Sequence, residues 1–141
     1  MIFKLDMDPP TATGQMHKVG IKHGKPFFYD PPEVRDAKQK IMSYLIQYTP
    51  KVPFEGPVAL IVAWLYPIKG KHVHMEWRTS RPDTDNLQKI LKDCMTKCGF
   101  WKDDAQVVRE NIEKRWVNEK DAGIAVMIFD AGKGEDDEIE G

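Results

Sequence analysis

Cysteine is scarce in this chain: Cys94 and Cys98 are the only two among 141 residues. They stand four apart without a second Cys or His pair at zinc-ligand spacing, so neither a zinc site nor a disulfide framework is indicated, and reduced, partly buried thiols are expected. Long apolar runs are missing too. None approaches the roughly 20 residues of a membrane-spanning helix, and no basic-then-apolar segment opens the chain as a signal peptide would, so the expectation is a cytosolic protein. No internal repeat occurs. Net charge is almost absent at −1, which offers no chain-wide attraction for a polyanion. Divided along the chain, the balance changes. Residues 130–141, DAGKGEDDEIEG, hold six acidic residues and one lysine, leaving 20 Lys plus Arg against 16 Asp plus Glu, a net +4, in residues 1–129. The expectation is one mildly basic domain over 1–129 and an acidic, disordered tail over 130–141.

What is present is a clear alternation of apolar segments. Ile2 to Asp6 reads as a short strand, followed by a loop of Pro, Gly, Lys and His up to Phe28. Asp30, Pro31, Pro32 and Glu33 form a helix-start signature with Asp30 as cap, and Val34, Ala37, Ile41, Tyr44, Leu45 and Tyr48 recur at helical spacing until Pro50. Pro57 to Tyr66 is apolar without alternation, the pattern of a strand covered on both faces near the middle of a sheet. A polar, basic stretch, IKGKHVHMEWRTSRP, then delivers the chain to Asp83 as a loop or irregular strand.

A second helix is predicted from Asp85, capped by that residue with Gln88 three positions on. Its apolar stripe is Leu87, Ile90, Leu91, Cys94, Met95 and Cys98, and Gly99 is its stop. Ala105–Val117 reads as a strand and Ile124–Phe129 as another. The order β-α-β-α-β-β places the chain in the α+β class, a single domain with a mixed sheet and two helices.

The chemistry-bearing residues cluster in 81–108, RPDTDNLQKILKDCMTKCGFWKDDAQVV. Asp83 and Asp85 stand two apart, Lys89 follows one turn later, and Asp103 and Asp104 lie beyond the helix. Carboxylates able to converge beside a lysine point to a hard divalent cation such as Mg²⁺, which takes one or two carboxylates and fills its other positions with water and substrate phosphate oxygens. Singly, each residue has an ordinary alternative: Asp85 as a helix cap, Lys89 as an i±4 partner of Asp85 and Asp93, Asp103 with Asp104 as a polar turn. Against the combined alternative, Asp83 has no capping duty, and gathered like charges are costly without a cation. An EF-hand opened by Asp83 fails, since Leu87, Gln88 and Cys94 occupy positions that need an oxygen ligand, glycine and glutamate. A haloacid-dehalogenase-type phosphatase is a poor match, with RTSRP where a hydrophobic strand should precede the Asp and Leu87 where Thr or Val is expected.

The ordered pattern DTDNLQKILKD followed by GFWKDDAQV resembles the RusA family of Holliday-junction resolvases over residues 81–108. The resemblance implies a small homodimeric, Mg²⁺-dependent endonuclease that cuts four-way DNA junctions by paired nicks. It also implies Asp83, Asp85 and Asp104 as the acidic catalytic residues and metal ligands, and Lys89 as the essential lysine. Asp103 then becomes a turn or supporting residue, and Asn86 a group that orients a ligand. Where family members carry a Pro-Pro-Ser-x-Asn-type segment with nearby arginines, this chain has Pro9-Pro10-Thr11 and then ATGQMHKVGIKHGK, without Asn or Arg.

His17, Lys18, Lys22, His23 and Lys25 in the first loop, and Lys69, Lys71, Arg78 and Arg81 before the motif, are candidate contacts to DNA phosphates. Trp64, Trp77, Phe100 and Trp101 are read mainly as core residues rather than interface or base-stacking groups. The alternatives are a non-catalytic DNA-binding protein on the same scaffold, or a nuclease for other branched DNA.

Overall fold

The computed structural model describes residues 1–11 and 18–133. A four-stranded mixed sheet carries both long helices on one face. Its strands are β1 (Ile2–Leu5), β4 (Val58–Pro67), β5 (Val107–Val117) and β6 (Gly123–Asp130), in the order β1-β6-β4-β5. β4 runs parallel to β5 and antiparallel to β6, and β1 runs antiparallel to β6. The helices are α1 (Pro32–Leu45) and α2 (Thr84–Cys98), the latter crossing over from β4 to β5.

β4 is the central strand, as its unbroken apolar run implies. Val58, Leu60, Val62, Trp64 and Tyr66 are buried under the helices, but Ile61, Ala63, Leu65 and Pro67 on the other face are only half-buried. The expectation of cover on both faces is therefore corrected: among the described residues both long helices pack on one side, and on the other face only Ala59 of β4 is buried. Val34, Ile41 and Leu45 of α1 and Leu87, Ile90, Leu91, Cys94 and Met95 of α2 complete the core with Trp64, Phe100 and Trp101. Each fully buried side chain of this size contributes roughly 1.5–3 kcal/mol. Burial pushes the Cys94 thiol up to about 12, so it stays a protonated core group.

A hairpin stands where the sequence reads as loop. β2 (Lys18–Lys22) pairs with β3 (Lys25–Tyr29) around a two-residue turn in which His23 and Gly24 both have positive φ, 51° and 75°. That is the turn whose twist matches a hairpin, and His tolerates the left-handed region better than most residues. His-Gly between Val-Gly-Ile-Lys and Lys-Pro-Phe-Phe-Tyr was the available signal.

Two helix caps also differ. Pro31, not Asp30, occupies the cap position of α1, and no side chain bonds there; the Asp30 carboxylate faces Lys38 instead. At α2 the cap position falls on Asp83, again without a side-chain cap bond, and Asp85 lies in the first turn. Gln88, expected to complete a capping box, is 2% exposed, and neither amide atom has a partner among the described residues. Burying an unpaired amide is costly, so Gln88→Met should raise the unfolding free energy by about 1 kcal/mol, read as a higher denaturation midpoint at unchanged slope. β6 includes Asp130, one residue beyond the expected boundary, while most of the acidic tail lies outside the described residues. No helix among the described residues is long and apolar enough to cross a membrane.

Candidate active site

The loop after β4 is fixed before it reaches Asp83. The Arg78 guanidinium lies 3.9 Å from the Tyr66 ring centre and 4.9 Å from that of Trp116, and its Nη1 donates to the carbonyls of Ser80 and Arg81 at 3.0 and 2.6 Å. From β5, Lys114 Nζ donates to Ser80 and Pro82 carbonyls at 2.8 and 2.6 Å. Burial and the neighbouring Arg78 pull the Lys114 ammonium below its usual range, and Asp83 opposes them. The Arg81–Pro82 peptide is cis. Arg78 is thus corrected from a DNA contact to an internal clamp, because the residue is 8% exposed and its Nη1 serves two backbone carbonyls. Neither clamp residue was legible as such, since an arginine in a polar loop and a lysine in a strand carry no local signal of burial.

Asp83, Asp85 and Lys89 are exposed at the N-terminal half of α2, where unpaired backbone N–H groups favour negative charge. Asp85, Lys89 and Asp93 follow one another at i, i+4 and i+8 on one helix face. Lys89 Nζ lies 3.7 Å from Asp93 Oδ1, while Asp93 Oδ2 accepts from the buried Lys38 at 3.2 Å, and Lys38 also donates to Asp30 at 2.8 Å. The Lys89–Asp93 pair is the i+4 partnership that the sequence offers as an ordinary alternative, whereas Lys38 beneath it was missed. Asn86, half-buried, sits in the first turn.

Asp104 stands at the other end of α2. Gly99 ends the helix with φ 96°, a left-handed stop that returns Phe100 and Trp101 to the core. The turn that follows is locked by Gln106, whose side chain accepts from the backbone of Lys102 and Asp103 and donates to the carbonyls of Phe54 and Gly56. Asp103 is occupied as the cap of this turn, accepting from Ala105 N at 2.8 Å. Asp104 instead takes the Thr96 hydroxyl, and it lines a shallow groove of about 340 Å³ with Asp93, Thr96, Lys97, Lys102 and Asp103.

The expected convergence of carboxylates does not occur within one chain. Thr96 is 13 residues after Asp83, about 20 Å along a helix axis. β5 supplies a second ruler, since Lys114 bonds Pro82 O while Val107 follows the Asp104 turn, seven strand residues or about 23 Å away. Among the described residues, no three His, Cys, Asp or Glu side chains are grouped to hold a metal ion. The oxygen donors suit a hard divalent cation; their placement in a single chain does not.

Of the other basic candidates, Lys22, Lys25, Lys69, Lys71 and Arg81 are exposed, as is His23. The Lys18 side chain and all of His17 lie outside what the structure describes. Lys69 also borders a cavity of about 390 Å³ between the Pro9–Thr11 segment, α1 and β4, together with Lys40, Asp8 and Asp36. Trp64, Phe100 and Trp101 are core residues as read from sequence, whereas Trp77 is 55% exposed under the Arg115 guanidinium.

A model of the endodeoxyribonuclease RusA family matches residues 9–129, most of the described fold. The chain belongs to the RusA family. A crossover junction endodeoxyribonuclease of Lactococcus phage r1t is 36% identical over 128 residues, covering 89% of this chain and 95% of that protein. The RusA crossover junction endodeoxyribonucleases of Escherichia coli K12 and of Enterobacteria phage 82 are each 56% identical over 41 residues, 29% of this chain and 33% of theirs. As a RusA family member, the chain is a single α+β domain with a mixed sheet and two helices.

Proposed function

We propose that this protein is an endodeoxyribonuclease that resolves four-way DNA junctions by paired nicks, acting in recombination and repair in the cytoplasm. The observation that carries the reading is similarity over 89% of the chain to a phage crossover junction endodeoxyribonuclease, with Asp83, Asp85, Lys89 and Asp104 all present on α2, its cap and its following turn.

The separation of Asp83 and Asp85 from Asp104 supports a homodimer. In a two-fold pair with antiparallel α2 helices, one protomer's Asp83 and Asp85 face the partner's Asp104, and the same residues repeat across the axis. Two equivalent sites suit two symmetry-related strands. Each would hold Mg²⁺ through hard carboxylate oxygens, and such an ion supplies polarisation of the phosphate and a hydroxide nucleophile at neutral pH.

The chain's own residues account for the remaining work. Lys89 places a compact positive charge on the same helix face as Asp85, where it stabilises charge gathering on the non-bridging phosphate oxygens. Asp93, fixed from beneath by Lys38, holds the Lys89 side chain along that face. Lys22, Lys25, Lys69, Lys71 and Arg81 contact phosphates of the junction arms and set position rather than sequence.

The test is cutting of an end-labelled four-way junction beside a linear duplex of the same sequence, with Mg²⁺ or EDTA. Symmetric cuts on the junction alone, lost in EDTA and about 10²–10³-fold slower in Lys89→Ala with unchanged junction affinity, are expected. Binding without cutting would favour the non-catalytic scaffold; equal cutting of duplex and junction would remove the junction preference.

A further inference from the structure

Asp104 is held by a hydrogen-bond chain whose direction is fixed at both ends. Trp101 Nε1 lies 2.7 Å from Thr96 Oγ1, and Thr96 Oγ1 bonds Asp104 Oδ1. An indole N–H only donates and an ionised carboxylate only accepts, so the Thr96 hydroxyl must accept from Trp101 and give its single proton to Asp104. A threonine hydroxyl is ordinarily a free rotor; here it has one orientation. The indole is 1% exposed, packed between Phe100 and the α2 core, so the donor end of the chain cannot be replaced by water. Thr96 itself is half-buried and belongs to the groove that Asp104 lines.

We propose that Thr96 and Trp101 are positioning residues for Asp104: the buried indole orients the Thr96 hydroxyl, which pins Oδ1 and leaves Oδ2 as the working oxygen. The inference rests on the reading of Asp104 as a site carboxylate. Its neighbour Asp103 shows the contrast, since that carboxylate is spent on capping the turn. Pinning one oxygen lowers the entropy that the carboxylate must lose when it acts, and hydrogen-bonded partners of this kind typically change ligand affinity or activity by about 10–100-fold.

The test compares wild type with Thr96→Val, Thr96→Ser and Trp101→Phe, as intact proteins. Four readouts are used: single-turnover cutting of a four-way junction, junction affinity in EDTA, Mn²⁺ binding by electron paramagnetic resonance, and the Trp101 indole N–H resonance. Thr96→Val should cut about 10-fold more slowly and bind Mn²⁺ about 10-fold more weakly, with junction affinity unchanged and the indole resonance moved upfield. Thr96→Ser should restore all wild-type values. Trp101→Phe keeps most of the ring packing and should show a smaller loss of the same kind, since the hydroxyl regains its freedom. If wild type binds Mn²⁺ and cuts the junction while Thr96→Val matches it, or if Thr96→Ser is as impaired as Thr96→Val, the positioning role is overturned and the site reading stands. If wild type neither binds Mn²⁺ nor cuts, the site reading falls first and takes the positioning role with it.

Discussion

Asp83→Asn and Asp104→Asn, each inactive alone, should regain nicking when the two variant chains are mixed and refolded together. Each homodimer is expected to lose about 10²–10³-fold or more in junction cutting, the scale on which removal of one charge-stabilising group acts. In the mixed dimer one site combines both lesions, while the other combines Asp83 of the Asp104→Asn chain with Asp104 of the Asp83→Asn chain and is intact. The product should therefore be single nicks rather than paired cuts, at up to about half the wild-type rate per mixed dimer, which has one intact site of two. The prediction follows from the roughly 20 Å between the ends of α2. Were both carboxylates to act within one chain, every site in the mixed dimer would carry a lesion and no activity would return. Neither side chain is buried, and both variants should melt within about 0.5 kcal/mol of wild type, which separates lost chemistry from lost fold.

The second large effect concerns stability. Lys38 is a charged residue in the core layer between α1 and α2, its side chain 7% exposed, with Asp30 and Asp93 on either side at 18% and 20%. Burial acts to lower its pKa, but the hydrogen bonds and charges of Asp30 and Asp93 together outweigh burial and leave it above 10.5. Lys38→Met removes the cation from between two largely covered carboxylates. Breaking a buried ion pair by deleting one partner costs about 3–5 kcal/mol, and the partial exposure of the carboxylates points to about 3, or roughly 10 °C in melting temperature for a domain of this size. The sign with pH is definite. A group whose folded pKa is raised gives its full stabilisation below its unfolded value, here 10.5, and loses it as pH rises through the folded pKa. The wild-type advantage over Lys38→Met should be constant from neutral pH to about 10 and shrink only above 10.5; an advantage that shrinks between pH 6 and 9 would overturn the account. The loss should also reach Lys89 through Asp93, so the variant is expected to cut more slowly even below its melting range.

The helices and the long strands were legible because their signals are local and reinforced. Leu87, Ile90, Leu91, Cys94 and Met95 repeat at helical spacing and Gly99 closes the run; Val58–Pro67 is apolar throughout and lies second from the sheet edge. The hairpin was not legible by composition, because Lys, His, Gly and Pro make up much of residues 18–29 and strands of five residues are too short for a periodicity to stand out. Helix caps were misplaced by one or two residues for a related reason. Asp30 is chemically able to cap α1, yet the buried Lys38 ammonium, two turns along the same helix, competes for the same carboxylate, and its burial is invisible from residue 30.

By itself the sequence determined the α+β class, the two helices and the central strand, and through its family motif it offered Asp83, Asp85, Lys89 and Asp104 as the candidate set, since residue type, periodicity and motif spacing are properties of neighbours in the chain. Only the tertiary structure decided which of these meet. α2 is a rigid rod, so it holds its two acidic ends apart, which is the ground for the proposed two-fold pairing. Packing likewise chose Arg78 and Lys114 as clamps, Lys38 as a buried counter-ion and Trp101 with Thr96 as the support of Asp104. Each depends on groups distant in sequence or on the direction a side chain takes when the sheet and helices close around it, and neither is written in any local run of residues.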